Sequence, residues 1–254
     1  MSDHVTLTLR AVLGEPLDLE GILPERLAML GERDITALPV WSGRVTRALG
    51  DYFDVRGERS ASLRIEGDVR RCRNIGAAMT GGAVEISGDA GDDLGVSMSG
   101  GSIRVRGNAG DRVGSGAPGA SRGMTGGEIV VDGAVGSDAG ARMRRGLLFV
   151  GGDTGSSAAR AIIAGTVIVM GRVGAEPATA SKRGTLVAGG EVEVPLTYRY
   201  ACRYQPPHVR LALTYLARRH GAAVDAHAID AHYDRYCGDA GTVAKGEILI
   251  RVRQ

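Results

Sequence analysis

The stretch MTGGAVEISGDAGDDLG, residues 79–95, decides the fold of this chain because variants of it recur along the sequence. MSGGSIRVRGNAGDRVG follows at residues 98–114 and MTGGEIVVDGAVGSDAG at residues 124–140. The glycine that ends the apolar part of each copy recurs with a constant 19-residue step, except for one longer step, at Gly88, Gly107, Gly133, Gly152, Gly171 and Gly190. The longer step, from Gly107 to Gly133, contains one insertion, residues 117–123. A fixed period of about twenty residues is typical of a solenoid.

Apolar residues alternate with other residues inside each copy, as in a strand with one buried face. The alternating pairs are Val84 and Ile86, Ile103 and Val105, Ile129 and Val131, Leu148 and Val150, and Val167 and Val169. A 19-residue repeat is too short for a strand, a helix and two connections, and each glycine would destabilise a helix by about 1 kcal/mol. The sequence therefore predicts a mainly β fold, a right-handed single-stranded parallel β-helix.

The glycines of the repeat follow the spacing Gly-x-x-Gly-x-x-x-Gly, which we interpret as corners that need positive φ or close backbone contact. We predict a structural role for all of them: Gly88, Gly91, Gly95, Gly107, Gly110, Gly114, Gly133, Gly136, Gly140, Gly152, Gly155, Gly171, Gly174 and Gly190. Calcium-binding nonapeptide repeats fit less well, because the aspartates do not recur in the required frame. Hexapeptide repeats also fit less well, because each turn here has one apolar strand rather than three.

The segments on either side of the repeat are predicted to cap it, since the ends of a solenoid expose unpaired strand edges and an open core. Residues 1–57 form the predicted N-terminal cap of strand and helix, residues 58–194 the β-helix, and residues 195–254 a helical C-terminal cap. In the N-terminal cap, the sequence predicts a short helix from Pro24 to Leu30. The single tryptophan, Trp41, is predicted to plug the core.

Two helices and a strand are predicted in the C-terminal cap. Residues 206–220 place Val209, Ala212, Leu213 and Leu216 on one helical face before the stop at Gly221. A second helix is predicted to begin at Asp225, with three residues on one stripe: Ile229, Tyr233 and Tyr236. The last apolar residues predict a closing strand, namely Ile248, Leu249, Ile250 and Val252.

The strand position between the two buried residues changes from polar to apolar along the repeat: Glu85, Arg104, Val130, Phe149, Ile168 and Val187. A row of exposed apolar residues on a solenoid would be an association surface. We therefore predict that something covers the last four positions. Two alternatives remain open at this point, namely another subunit or the helix at residues 206–220.

The composition excludes several classes of partner and site. With 31 basic and 29 acidic residues the net charge is +2, so neither a nucleic acid nor a membrane is expected as a partner. Cys72, Cys202 and Cys237 form no paired motif, which argues against a disulfide framework and a zinc knuckle. The first residues show no signal-peptide pattern and no apolar run reaches about 18 residues, so we expect a cytoplasmic protein.

The glycine pattern and three flanking segments resemble a known family. The segments are LGDYFDVRG (49–57), LRIEGDVRRCRNIG (63–76) and YCGDAGTVAKGEILIRV (236–252). The pattern resembles the glycine-repeat domain that ends the large subunit of glutamate synthase. Together with the flanks it looks like the free-standing relatives of that domain, the C subunits of formylmethanofuran dehydrogenase and of the formyltransferase/hydrolase complex of methylotrophic bacteria.

The resemblance implies a noncatalytic scaffold subunit in one-carbon metabolism. Such a complex moves a formyl group from formyltetrahydromethanopterin to a methanofuran-type coenzyme and hydrolyses it to formate, in formaldehyde oxidation. The implied partners are a formyltransferase subunit, a B subunit, and a hydrolase-like A subunit that holds zinc. The alternatives are the C subunit of a molybdenum or tungsten formylmethanofuran dehydrogenase, which reduces carbon dioxide, and a free-standing structural domain of the glutamate synthase type.

No catalytic residue is carried over by the resemblance, and the residues themselves indicate none. His227 and His232 are five positions apart, so they do not form the i, i+4 zinc pair of a helix. We accordingly predict no catalytic residue, no metal site and no cofactor bound by this chain alone.

Two groups of arginines are the remaining candidate site. They are Arg70, Arg71 and Arg73 in the first repeat, and Arg142, Arg144 and Arg145, with Arg122 nearby in the insertion. Because methanofuran-type coenzymes carry glutamate-rich tails, the resemblance implies a ligand that arginines could bind by charge-assisted hydrogen bonds. The alternative is that all of these arginines lie in solvated loops.

Overall fold

The computed structural model describes residues 4–253 and is mainly β. Its strands are β1 (Val5–Leu9), β2 (Leu17–Asp18), β3 (Pro39–Ser42), β4 (Val45–Ala48), β5 (Phe53–Arg56), β6 (Ser62–Glu66), β7 (Cys72–Arg73), β8 (Ala83–Ile86), β9 (Ser102–Val105), β10 (Glu128–Val131), β11 (Leu147–Val150), β12 (Thr166–Val169), β13 (Thr185–Ala188), β14 (Arg199–Tyr204), β15 (Tyr233–Gly238) and β16 (Gly246–Arg251). Its helices are α1 (Pro24–Leu27), α2 (Glu32–Thr36), α3 (Pro207–His220) and α4 (Ala226–Ile229), with a 3-10 turn at Leu49–Asp51. No helix among the described residues is both long enough and apolar enough to cross a membrane.

Twelve of the described strands form one mixed sheet, in the order β14-β15-β16-β13-β12-β11-β10-β9-β8-β6-β1-β5. Its centre is a parallel ladder in which each repeat contributes one strand. Leu148 pairs with Val167, and Val167 pairs with Leu186, so the register advances by one 19-residue repeat at each strand. Ile103 pairs with Ile129 across the longer step, which means that the insertion loops out and leaves the register intact.

A second line of backbone contacts connects the repeats after each strand. Ala109 and Thr154 both form parallel bridges with Val135, which lies between them. Side chains reinforce this line, because the Asp111 carboxylate accepts a hydrogen bond of 2.7 Å from the Ser137 N–H, one repeat further on. The apolar residues of both lines face one continuous core, in which Ile129, for example, is fully buried.

The glycines of the repeat occupy the two kinds of position that the sequence predicts. Gly140 has a φ of 67°, and a Cβ atom there would lie 2.6 Å from a methyl carbon of Val167. Gly133 instead lies so close to the preceding repeat that a Cβ atom would be 2.7 Å from the carbonyl oxygen of Gly107. Stacked repeats require such contacts because adjacent strands are only about 4.8 Å apart.

The N-terminal segment extends the large sheet and adds a smaller one. Strand β1 lies between β6, to which it is parallel, and β5, to which it is antiparallel. The predicted helix from Pro24 is shorter than expected, since α1 ends at Leu27. The prediction that Trp41 plugs the core is wrong, because its side chain is 52% exposed. Strand alternation explains this, as Val40 takes the buried face of β3 and turns Trp41 outward.

Helix α3 covers the apolar row of the repeat. Its Val209, Leu213 and Leu216 pack with the row in a second apolar cluster, separate from the main core. All four row residues are at most 1% exposed: Val130, Phe149, Ile168 and Val187. The suggestion that these four residues form a subunit interface is therefore corrected, because the chain's own helix occupies their surface.

The C-terminal segment is less helical than the sequence suggests. Asp225 caps α4 as predicted, accepting a hydrogen bond of 2.9 Å from the His227 N–H. Helix α4 ends at Ile229, however, and Tyr233 and Tyr236 lie in strand β15. The prediction of one helical stripe through these residues is wrong. Aromatic residues favour strands, and β15 gains a full antiparallel partner in β16.

Candidate anion-binding groove

A basic groove is formed where three successive repeats turn into their strands. It has a volume of about 630 Å³. Its lining residues are Ser121, Arg122, Arg144, Arg145, Gly146, Ile163, Ala164, Gly165, Lys182 and Arg183. Five of these ten residues are cationic and none is acidic, so the groove is suited to an anionic ligand.

The repeat itself brings these cations together. Arg144, Ile163 and Lys182 occupy the same position in three successive 19-residue repeats and precede three strands that pair in register, as do Arg145, Ala164 and Arg183. Two strand spacings separate the cationic repeats, which is about 10 Å. Uncharged residues of the middle repeat therefore form the floor of the groove, and the cations form its two rims.

The insertion supplies the fifth cation. Arg122 belongs to the loop at residues 117–123. Arg142 holds this loop, because its guanidinium donates a hydrogen bond of 2.8 Å to the carbonyl oxygen of Ala120. The N–H of Gly123 also bonds to the carbonyl oxygen of Arg142, at 2.7 Å. Arg142 is thus a positioning residue for the groove rather than part of its lining.

The groove cations have no charge partners among residues 4–253. None of the five forms an ion pair with a residue that the structure describes. Two acids lie on the next row of the sheet, the row of Leu147 and Thr185, and are engaged elsewhere. Glu128 accepts a hydrogen bond of 2.9 Å from Tyr215 and lies 2.7 Å from Nε2 of His220, while Glu247 accepts one of 2.8 Å from Arg235. The hydrogen bond to Glu128 is the main cause that raises the pKa of Tyr215. The positive charge of the groove therefore remains available.

The other predicted arginines are placed differently. Arg70 forms an ion pair with Asp68, and Arg71 donates to the carbonyl oxygen of Gly14. Arg73 lies on β7, exposed and remote in sequence from the groove. The structure therefore brings Arg144 and Arg145 into the groove with Arg122, and leaves the first arginine group outside it.

Lys182 and Arg183 are groove residues that the sequence analysis missed. The signal that could have found them is the repeat period, since they follow Arg144 and Arg145 by two 19-residue repeats. Runs of arginine are adjacent in the sequence, whereas a repeat protein also brings together residues that are one or two periods apart.

A second cavity, of about 970 Å³, lies beside α4 and contains both histidines considered above. Its charges are mixed and largely paired, for example Arg251 with Asp225 at 2.7 Å. Among residues 4–253, no group of three histidine, cysteine or acidic side chains is placed to hold a metal ion. This cavity therefore offers less specific chemistry than the basic groove.

Comparison with known proteins gives the family. No protein-family model matches the chain. Over 89 residues the chain is 38% identical to the C subunit of the formyltransferase/hydrolase complex Fhc from Methylorubrum extorquens, covering 35% of this chain and 34% of that protein. Over 93 residues it is 33% identical to the C subunit of the molybdenum-containing formylmethanofuran dehydrogenase 1 of Methanosarcina barkeri, covering 35% of this chain and 31% of that protein. The matched segments thus span about a third of the length of these curated relatives.

The structural comparison extends over the whole fold. A chain in the crystal structure of the formyltransferase/hydrolase complex (FhcABCD) from Methylorubrum extorquens, solved with methylofuran, superimposes with a TM-score of 0.81 and 33% identity. The match covers 98% of this chain and 100% of that chain. On these grounds the protein belongs to the family of C subunits of formyltransferase/hydrolase complexes and formylmethanofuran dehydrogenases.

Proposed function

We propose that this chain is the noncatalytic C subunit of a complex that transfers a formyl group from formyltetrahydromethanopterin to a methanofuran-type coenzyme and hydrolyses it to formate. The observation that carries the proposal is the full-length likeness to a chain of the FhcABCD complex at 33% identity. Its partners would be a formyltransferase subunit, a B subunit, and a hydrolase-like A subunit with zinc. The proposed complex works in the cytoplasm, in the oxidation of formaldehyde.

The fold proposed for this scaffold is a right-handed single-stranded parallel β-helix at residues 58–194. The in-register ladder, the second line of bridges and the 19-residue advance per strand support it. Residues 1–57 and 195–254 would then cap its two ends. Strand β16 of the C-terminal cap pairs with β13 as one further parallel rung, and the antiparallel strand β15 then ends the parallel ladder.

The basic groove is the part of the scaffold that we assign to the coenzyme. Its five cations, which form no ion pair with the described residues, would bind the carboxylates of a glutamate-rich tail through charge-assisted hydrogen bonds. The two cationic repeats, about 10 Å apart, would let one extended tail contact both rims. Of the predicted arginines, Arg144 and Arg145 would contact the tail and Arg142 would hold the insertion loop.

Binding of synthetic hexaglutamate to the purified chain at low salt tests this assignment. We expect the double substitution Lys182→Ser and Arg183→Ser to weaken binding by about tenfold, equal to about 1.4 kcal/mol. The matched control is Arg44→Ser with Arg47→Ser, which removes the same charge from exposed positions elsewhere. Equal weakening by both pairs would mean that only net charge matters, and the assignment of the groove would then fail.

A second candidate function is the C subunit of a molybdenum or tungsten formylmethanofuran dehydrogenase. It is favoured by a 36% identity over 78 residues to the C subunit of the molybdenum-containing formylmethanofuran dehydrogenase 1 of Methanothermobacter thermautotrophicus. Metal analysis of the complex purified through this chain from its own cells separates the two functions. Zinc with a formyltransferase activity supports the first, and molybdenum or tungsten supports the second.

A further inference from the structure

Strand β14 ends the large sheet with an edge that nothing in the described part of the chain covers. It pairs only with β15, so alternate N–H and C=O groups along its other side have no strand partner. Five of its six residues are exposed, and its first and fifth residues are Arg199 and Arg203. A long, exposed edge strand is a template for pairing with another chain.

The apolar row of the main core continues onto this edge. Leu186 pairs with Ile248, Ile248 with Tyr236, and Tyr236 with Tyr200. The first two are fully buried, whereas Tyr236 is only partly buried and Tyr200 is 56% exposed. Tyr200 rests edge-on against Tyr236, with ring centroids 5.7 Å apart. The core row therefore becomes more exposed toward β14, where it ends at the partly buried Tyr236 and the exposed Tyr200.

The charge on this edge indicates what can cover it. Arg203 is paired with Asp234 at 2.8 Å, but Arg199 has no ion-pair partner among the described residues. A second copy of the chain pairing along β14 would bring two unpaired Arg199 side chains to one seam, and like charges facing each other across strands are destabilising. The other end of the sheet, β5, could meet β14 only head to tail, and repetition of that contact risks an open filament rather than a closed complex.

We propose that β14 is a docking edge for an extended segment of another subunit of the same complex, which adds as a further strand. The segment pairs with the free backbone groups, covers Tyr200 and Tyr236 with apolar side chains, and places a carboxylate opposite Arg199. This inference rests on the proposed function, since it needs a complex of several subunits. Strand addition of this kind draws its affinity from backbone hydrogen bonds and its specificity from alternate side chains.

Hydrogen exchange of the chain, free and in the complex co-expressed with its companion subunits, tests the proposal. We expect those amides of residues 199–204 that point away from β15 to exchange rapidly in the free chain and to become protected in the complex. Tyr200→Ala and Arg199→Glu are expected to lower recovery of this chain in the complex by about tenfold or more. The matched control is Leu211→Ala on α3, which truncates another exposed apolar side chain and should leave recovery unchanged.

Each other result overturns the inference in a recognisable way. Assembly of the complex without protection of residues 199–204 would refute the docking edge and leave the proposed function intact. Protection of these residues in a dimer of the free chain would show that a second copy is the occupant. Failure of the wild-type chain to assemble would refute both proposals. The free variants must also keep the wild-type melting temperature. Reduced recovery in the complex then reflects lost docking and not lost folding.

Discussion

The cover that α3 provides for the apolar row can be tested with two leucines on the same helix. Leu213 is fully buried against the row, whereas Leu211, two residues earlier, is 72% exposed. Substitution of each by alanine removes the same three carbon atoms from the same helix. The difference between the two variants therefore isolates packing from helix propensity.

The expected magnitudes follow from burial. Removing three buried carbons costs about 2.4 kcal/mol in transfer free energy, and the cavity left behind raises the cost for Leu213→Ala to about 3 kcal/mol. Leu211→Ala loses about a quarter of that burial and gains helix propensity, so its unfolding free energy should change by about 0.5 kcal/mol or less. For a chain of this size the two melting temperatures should differ by about 5 to 10 °C.

Thermal and urea unfolding followed by far-ultraviolet circular dichroism measures this difference. A dye that fluoresces on apolar surfaces gives a second readout, since a loosened α3 would expose the row around Phe149. We expect more dye binding for Leu213→Ala than for the wild type or Leu211→Ala. If the two variants unfold within about 0.5 kcal/mol of each other, α3 does not pack on the strands through this face, and the row is open to another subunit.

Single sites give three further predictions. Gly140→Ala should lower the free energy of unfolding in urea by about 2 kcal/mol more than Gly119→Ala. Both glycines have positive φ, but only at Gly140 would a Cβ atom meet another side chain. Equal losses would mean that close contact between the repeats does not require glycine at position 140. Burial acts to raise the pKa of Asp239, but hydrogen bonds from the N–H groups of Gly241 and Ala180 outweigh it and hold the pKa below its ordinary value. The stabilisation by the Asp239 carboxylate should thus be complete above that ordinary value and be lost as the pH falls through the lowered pKa. Urea unfolding of the wild type and Asp239→Asn at several pH values measures this. A difference in unfolding free energy that stays constant down to about pH 2 would contradict the prediction. Burial also raises the pKa of Cys72 to about 12, so a maleimide at pH 8 should modify the exposed Cys202 and leave Cys72 unmodified until the chain unfolds, as peptide mapping would reveal.

The repeat made the β architecture predictable from local pattern alone. Alternation at Ile129 and Val131, repeated with a constant period, specifies both a strand and its neighbour in the sheet. The glycine spacing indicated where the chain must turn or approach itself closely, as at Gly140. Helix α3 was also predictable, because its apolar face and the stop at Gly221 are signals within one segment.

Errors arose where a residue's environment comes from distant segments. Tyr233 and Tyr236 fit a helical stripe in the sequence. In the structure they lie in β15, because β16 pairs with it along its whole length, and no pattern within residues 225–236 indicates that partner. Trp41 looked like a core residue by its type, but the register of β3 with β2 and β4 assigned the buried face to Val40. The cover of the apolar row was left open for the same reason.

In the basic groove, too, some features follow from the sequence and others only from the tertiary structure. Sequence alone determined a mainly β fold with one strand per 19-residue repeat, and it identified Arg144 and Arg145 as candidates, since composition and period are properties of the chain. Only the tertiary structure decided that Lys182, Arg183 and Arg122 join them while Arg70 is neutralised by Asp68. Charges interact through distances of a few ångströms, and those distances exist only after stacking has placed residues from separate repeats side by side.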